Sequence, residues 1–167
     1  MSIAASLLPE FDHEMAGTRK ALERVPDSSF GFTPHEKSHR MQALVSHLAN
    51  LPSWVAVTIG QDGVDMASRE GAAARQQPVS STAEAVATFD RNVAAAREVL
   101  AGASDETMTS PWSLRADGRT VFTMPKAAVL RSFVLSHMIH HRGQLTVYLR
   151  MNDVPLPALY GPSADEE

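Results

Sequence analysis

The chain has 167 residues, 44% of them hydrophobic and 20% charged, and this composition predicts one soluble globular domain over residues 1–167. Its formal net charge of −4, without a block of basic residues and with only 6% aromatic residues, argues against a nucleic-acid partner and against a membrane partner. The sequence has no cysteine, which excludes disulfides, thiolate nucleophiles and cysteine-bound zinc, so any metal ion must be bound by nitrogen or oxygen.

We expect a helix, and no export signal, in the N-terminal segment. Apolar residues recur at helical spacing from Leu7 to Val25, and Pro26 is expected to end this first helix. No charged region followed by a long apolar run opens the chain, and no stretch approaches the ~20 continuous apolar residues of a membrane span. We therefore expect a cytoplasmic location.

The second predicted helix begins at Thr33. Thr33 and Glu36 have the spacing of a capping box, and Pro34 fits the first helical position. An apolar stripe with alternating spacings of three and four then continues to Ile59. Pro52 interrupts this stripe and removes one backbone donor, so a kink is expected just before it.

A long connection separates the second predicted helix from the third. Residues 60–80 are rich in Gly, Ala, Gln and Arg without clear periodicity, which predicts a mostly exposed segment that is long enough to cross between distant helix ends. Ser81 and Glu84 form a second capping-box pattern. Apolar residues from Ala85 onward predict a third helix that stops at Gly102.

The C-terminal third combines a hairpin with the longest predicted helix. Asp117-Gly118 is a strong two-residue turn signal between Trp112 and Phe122, which predicts a small β-hairpin. Pro125 then opens the longest periodic segment, which ends near Asn152. Four helices, one long connection and a small hairpin before the last helix predict an all-α fold, a helical bundle.

The last predicted helix carries two histidines on its core-facing stripe. His137 and His141 are four residues apart, so their side chains lie on one face and could converge on one metal ion. His140 points about 100° away around the helix axis and should not bind the same ion. Alternatively the pair is structural, with each imidazole bonded to carbonyl or hydroxyl groups. The stripe consists of Leu130, Val134, His137, His141, Leu145 and Tyr148.

A third candidate ligand comes from the second helix. His47 lies three residues after Leu44 and four before Leu51, at the edge of the apolar stripe. By itself such a residue is more often part of the core or its boundary. Together with the pair on the last helix, it would complete a three-nitrogen site that leaves coordination positions open for water or substrate. Surface or capping positions are expected for the other three histidines, His13, His35 and His39.

Five further residues near these histidines each allow two interpretations. Gln144 and Asn50 either hydrogen-bond a ligand or metal-bound water, or are polar residues at a helix boundary. Arg142 either clamps an anionic substrate or makes a surface ion pair. Gly143, which is unfavourable within a helix, predicts close approach by another helix or by a dimer partner. Tyr160 either folds back over the mouth of the bundle or, as we expect, packs against the helices.

Three stretches of the sequence resemble one known family. They are "SHLANLPSWV", "SHMIHHRGQLTVYLR" and "DVPLPALYGPSADEE", and they are similar to the DinB/YfiT-like family of proposed metalloenzymes, which is unrelated to the DNA polymerase that shares the DinB name. The resemblance covers essentially the whole chain. It implies a four-helix bundle in up-down-down-up order with a long crossover, usually dimeric. It also implies a divalent metal ion bound by three histidines, which correspond to His47, His137 and His141.

The residues and the resemblance together suggest a metal-dependent enzyme. A thiol-dependent transferase and a hydrolase are both compatible with an open three-histidine site that holds zinc, nickel or ferrous iron. No carboxylate lies on the stripe beside the histidine pair, which argues against a thermolysin-like peptidase. The alternatives are a non-catalytic, stress-related homodimer with a structural or incidental metal, and a protein that binds no metal. The sequence identifies neither a small-molecule or thiol substrate nor a catalytic residue.

Overall fold

The computed structural model describes residues 2–68 and 78–167, which form a mostly helical fold with a small three-stranded sheet. The helical class is as expected, whereas the third strand was not predicted. In chain order, the helices and strands are α1 (Ile3–Glu23), α2 (Met41–Asn50), α3 (Trp54–Gly60), β1 (Gly63–Asp65), α4 (Thr82–Ala101), α5 (Asp105–Thr109), β2 (Pro111–Ala116), β3 (Arg119–Pro125), α6 (Lys126–Val129) and α7 (His137–Met151). A π-helical segment, Leu130–Ser136, joins α6 directly to α7.

Helix α1 confirms the first predicted helix and extends it towards the N-terminus. It begins after Ser2, whose hydroxyl accepts a hydrogen bond from the backbone N–H of Ala5 and so satisfies one of the donors that a helix start leaves open. It ends at Glu23, shortly before the proline that was expected to stop it.

The predicted start of the second helix at Thr33 is wrong, because α2 begins at Met41. The backbone N–H of Met41 donates to the carbonyl of Phe32, and that of Gln42 donates to the carbonyl of Phe30. Phe30 is buried, so the preceding loop is held against the core. Loop carbonyls thus accept from the donors that a side-chain cap would otherwise satisfy.

The kink predicted at Pro52 is confirmed. A short 3₁₀ turn, Leu51–Ser53, separates α2 from α3. Within the described ranges, the helical run Met41–Gly60 is the one stretch that is long and apolar enough to cross a membrane by length and composition alone. Because 56% of that run is buried inside the protein, it equally fits a core helix of a soluble fold.

The connection over residues 60–80 is less exposed at its two ends than predicted, and residues 69–77 lie outside the described part of the chain. At one end, β1 pairs in parallel with β2 and buries Val64. At the other end, Val79 is buried, its N–H donates to the Ser46 hydroxyl, and its carbonyl accepts from the Gln42 amide. Both ends are therefore anchored, one on the sheet and one on α2.

The Ser81 cap predicted at the start of α4 is confirmed, whereas the Glu84 side chain bonds Ser80 instead of returning to Ser81. The Ser81 hydroxyl accepts from the N–H of Glu84, and the Glu84 carboxylate accepts from the N–H and hydroxyl of Ser80. The end of the helix at Gly102 is confirmed as well.

The predicted hairpin is confirmed as β2 and β3, which pair antiparallel around Asp117-Gly118. Both turn residues have positive φ values, 51° and 75°, as a tight hairpin turn of this kind requires. The Asp65 carboxylate accepts from the N–H of Gly118 at 2.6 Å, so the end of β1 is tied to the turn.

The long helices meet in one core that brings α2 beside α7. Helices α1 and α2 each pack against both α4 and α7. Fully burying a large apolar side chain contributes about 1.5–3 kcal/mol, so these contacts dominate the stability of the arrangement. The largest fully buried side chains are Trp112, Phe11, Phe89, Leu22, Met41, Leu44, Leu48, Leu51, Met108, Met138, Leu145 and Leu149.

Candidate metal centre

Three imidazoles from two neighbouring helices converge at one point. His47 lies on α2, and His137 and His141 lie one turn apart on α7. The Nε2 atoms of His47 and His137 are 3.2 Å apart, and those of His137 and His141 are 2.8 Å apart. All three side chains are partly buried. The structure therefore brings together the three histidines that the sequence suggested as ligands, and we call them the imidazole centre.

The spacing of the three nitrogens suits a small divalent ion. Around tetrahedral zinc with bonds of about 2.0–2.1 Å, two nitrogen ligands stand about 3.3–3.4 Å apart. The two measured separations, 3.2 and 2.8 Å, are close to that value, and the candidate ligand atoms all lie within 4.8 Å of one another. The donor set therefore fits zinc, nickel or ferrous iron, which all accept imidazole ligands.

The outer nitrogens of the two imidazoles on α7 have hydrogen-bond acceptors. Nδ1 of His137 lies 3.2 Å from the carbonyl oxygen of Phe133, and Nδ1 of His141 lies 2.7 Å from Oε1 of Gln144. An oxygen of either kind only accepts, so both Nδ1 atoms carry the hydrogen. Each Nε2 then presents a lone pair towards the centre, as a metal ligand must.

The π-helical segment contributes to this arrangement. In a regular α-helix the N–H of His137 would donate to the carbonyl of Phe133. Here it donates to the carbonyl of Val134 instead. The Phe133 carbonyl is therefore released from that backbone bond and accepts from the His137 ring. Such local departures from α-helical geometry often occur at functional sites.

Burial lowers the pKa of the His137 and His141 imidazoles below the ordinary histidine value, and the neighbouring His140 lowers both further. Charge on His39 and His137 adds to the lowering of the pKa of His141. Removing an imidazolium from water is costly, and nearby positive charge adds to this cost. Both rings therefore favour the neutral form, which is the form that binds metal.

A cavity of about 330 Å³ opens beside the imidazole centre. None of the described residues that line it is acidic. Ala43 and Leu44 form an apolar wall, and His39 lies at an exposed position on the rim. A metal ion in the centre would therefore be reachable by a small molecule. The lining consists of His39, Ala43, Leu44, His47, His137 and His141.

The role of His39 was missed by the sequence analysis, which placed it on the surface only. It is exposed, but it also lines the cavity and is close enough to influence the pKa of His141. Its position depends on the loop before α2, where no periodic pattern places a side chain. No local sequence signal could have identified it.

The structure also places the other polar residues near the centre, His140, Gln144 and Asn50. His140 is exposed and its ring lies 5.0 Å from that of His141, outside the group of three, as expected. Gln144 hydrogen-bonds His141, a contact that neither interpretation from the sequence included, and a contact with a ligand or metal-bound water stays a prediction. The Asn50 amide donates to the Ser46 carbonyl at 2.8 Å, and Asn50 is not among the residues that line the cavity.

Both interpretations of Arg142 are wrong, because this arginine is buried on another face of α7. Its guanidinium donates to the Glu14 carboxylate at 2.6 Å and to the Glu14 carbonyl at 2.9 Å. The Tyr160 hydroxyl accepts from Arg142 and donates to the same carboxylate at 2.8 Å. Glu14, Arg142 and Tyr160 form what we call the arginine cluster. Tyr160 thus contacts α1 and α7 through its hydroxyl while its side chain stays 65% exposed, and it is not among the residues that line the cavity.

Close approach by another helix of this chain does not explain Gly143. The residue is exposed, and apart from its own helix no described atom lies within 4 Å of the position a Cβ would take. The dimer partner suggested as the alternative remains a prediction.

Comparisons with known proteins support the fold that positions the imidazole centre. A model of the DinB family matches residues 1–167, the whole chain. The uncharacterized protein YrdA of Bacillus subtilis (strain 168) is 42% identical over 43 residues, which are 26% of this chain and 25% of that protein. The matched segment thus spans about a quarter of the relative's length.

Two solved structures are similar over nearly their full length. A DinB-like protein from Bacillus cereus ATCC 10987 has a TM-score of 0.70 at 19% identity, with 92% of this chain and 95% of that chain covered. A DinB-like protein from Bacillus subtilis has a TM-score of 0.71 at 18% identity, with 93% and 99% covered. At these identities the likeness concerns the fold.

Proposed function

The chain belongs to the DinB family, and we propose that it is a divalent-metal-binding protein in which His47, His137 and His141 hold one ion. The observation that carries this proposal is the convergence of three imidazole Nε2 atoms, two of them fixed as lone-pair donors by acceptors on their outer nitrogens. The Nε2 lone pairs of His137 and His141, whose nitrogens are 2.8 Å apart, repel one another unless a cation lies between them. Because burial lowers the pKa of two of these rings, a metal ion is a better occupant than a proton at neutral pH.

We further propose that the protein is a metal-dependent enzyme, either a thiol-dependent transferase or a hydrolase. Three protein ligands leave coordination positions for a substrate atom or water, and the adjoining cavity gives a small molecule access to them. A divalent ion bound there would lower the pKa of a coordinated thiol or water and stabilise developing negative charge.

The chain's own residues would bind and position the reactants. The imidazole centre holds one side of the site, and the apolar wall of Ala43 and Leu44 limits water around a bound substrate. His39 is the one histidine of the described lining that is not among the three ligands, and at the rim of the cavity it could contact a bound substrate. With no acidic residue in that lining, we do not propose a carboxylate base.

The proposal includes the wider architecture expected of the family. The packing of α1 and α2 against both α4 and α7 supports a four-helix bundle. Its up-down-down-up order with a long crossover is proposed from the family resemblance. A homodimer is supported by the exposed apolar side chains of Val147 and Met151, which are 57% and 55% accessible on α7. We propose a cytoplasmic location for this dimer, with the whole chain acting as one domain.

The alternative function is a non-catalytic, stress-related dimer whose metal is structural or incidental. The lack of an acidic residue among the described residues of the cavity lining favours this alternative, because no general base of that type stands beside the centre. A closed site with four protein ligands would distinguish it from a catalytic site, which keeps one position open.

The metal content of the protein tests the binding site. We expect about one equivalent of zinc, nickel or iron in protein purified without a histidine tag, and its loss in His47→Ala and in His137→Ala. His140→Ala is the matched control, because that histidine lies on α7 but outside the centre, and it should keep the metal. One equivalent that survives both ligand substitutions would overturn the assignment.

Cobalt substitution separates the enzyme from the structural alternative. Cobalt in an open three-histidine site should change its visible spectrum when a small thiol or azide is added. A spectrum that stays unchanged at saturating thiol would indicate a closed site and would favour the structural alternative.

A further inference from the structure

The contact between His141 and Gln144 lies within one turn of α7. Oε1 of Gln144 is 2.7 Å from Nδ1 of His141, and the two residues are three positions apart. Side chains at this spacing are neighbours on a helix, so the backbone already holds the pair in register. The contact therefore needs no other element to form it.

The two imidazoles on α7 differ in how their protons are placed. The outer nitrogen of His137 faces a main-chain carbonyl, which can only accept, so the hydrogen of His137 has one possible position. The outer nitrogen of His141 faces a side-chain amide, which has one accepting and one donating end. The position of the His141 hydrogen is therefore decided by a side chain that can be replaced.

The opposite arrangement at His141 would work against metal binding. With hydrogen on Nε2, His141 would donate to Nε2 of His137 across the 2.8 Å that separates them. His141 would then have no Nε2 lone pair for a metal ion, and the Nε2 lone pair of His137 would be engaged in a bond that the ion would have to break. An acceptor at Nδ1 of His141 prevents this arrangement.

We propose that Gln144 is a positioning residue that holds His141 with its hydrogen on Nδ1 and its Nε2 lone pair directed into the imidazole centre. This inference rests on the proposed function, because the benefit of the arrangement is tighter metal binding. Residues that orient metal-ligating histidines in this way typically contribute 10–100-fold in affinity.

Zinc affinity and the proton positions of the histidine rings test the inference together. In Gln144→Leu, which removes the acceptor but keeps a similar size, zinc should bind about 10–100-fold more weakly. Long-range ¹H–¹⁵N NMR of the metal-free variant should show the His141 hydrogen moved to Nε2. Gln144→Glu should restore the hydrogen on Nδ1 and at least the wild-type affinity, because a carboxylate only accepts.

A control on the same helix separates positioning from general damage. The Thr146 hydroxyl donates to the Gly143 carbonyl at 2.8 Å, outside the centre, so Thr146→Val should leave both the zinc affinity and the His141 ring unchanged. Thermal unfolding of each variant shows whether it is folded.

The outcomes also separate this inference from the proposed function. If Gln144→Leu keeps the wild-type proton position, or binds zinc within twofold of wild type, the positioning role is wrong. If wild-type protein does not bind zinc but its His141 proton still depends on Gln144, the metal-binding function is wrong and the orienting contact stands.

Discussion

Two consecutive residues of α7, His141 and Arg142, belong to two polar clusters with contrasting properties. His141 belongs to the imidazole centre, which is partly buried and lines a cavity, and in which burial lowers the pKa of His137 and His141. Arg142 belongs to the arginine cluster, in which the side chains of Glu14 and Arg142 are 7% and 3% accessible and are bonded to each other. The first group directs lone pairs towards a shared point, whereas in the second each charge already has its counter-charge.

Because of this difference, one face of α7 contributes to folding stability and the other to binding. A buried ion pair whose members are hydrogen-bonded gains little from a ligand and loses much when one partner is removed. Converging lone pairs repel one another without a ligand, and a bound cation relieves that repulsion. We therefore expect substitutions in the arginine cluster to change folding stability and substitutions in the imidazole centre to change binding.

Arg142→Leu should give the largest loss of stability. It leaves the Glu14 carboxylate buried without its counter-charge, which costs about 3–5 kcal/mol. Urea unfolding measures this loss, and the control is Arg131→Leu, which removes an exposed pair with Glu10 and should cost at most about 1 kcal/mol. Equal effects of the two substitutions would contradict the distinction between the faces.

The imidazole centre should make the stability of the metal-free protein depend on pH. The folded pKa values of His137 and His141 lie below the ordinary value of about 6.5 that the unfolded chain has. As the pH falls through 6.5, the unfolded state takes up protons before the folded state does, so the free energy of unfolding decreases.

Urea unfolding of metal-free protein between pH 7.5 and 5.5 measures this decrease. The double variant His137→Gln/His141→Gln should show a flatter dependence, because the residues responsible are gone. The same dependence in both proteins would show that other groups cause it.

Gly143→Ala should have the smallest effect, and in the opposite direction. The position is exposed, has free space for a Cβ and lies within a helix, so alanine should stabilise the protein by about 1 kcal/mol. Gly17→Ala is the contrasting substitution, since its Cβ would lie 2.9 Å from a guanidinium nitrogen of Arg142 and should disturb the arginine cluster. If Gly143→Ala instead destabilises the protein and abolishes a dimer, the dimer partner contacts the face of α7 that carries Gly143.

Short sequence patterns predicted those structural features that depend on a few adjacent residues. The kink at Pro52, the cap at Ser81 and the turn at Asp117-Gly118 are of this kind, and all three were predicted correctly. The histidine pair on α7 was found because helical periodicity places residues four apart on one face.

Long-range contacts account for what the sequence did not reveal. Arg142 was misread because its partner Glu14 is 128 residues away in the chain. The start of α2 was misplaced because the Phe30 and Phe32 carbonyls replace the expected cap. Strand β1 has only three residues and exists because β2 is beside it. None of these contacts leaves a periodic pattern.

The position of the imidazole centre between α2 and α7 has a consequence for how the protein folds. His47 and His137 are 90 residues apart in the chain, and closing so long a loop costs entropy before any contact compensates for it. We therefore expect the three ligands to come together only after α7 has docked, late on the folding pathway. A metal ion that needs all three would slow unfolding and leave the rate of folding almost unchanged.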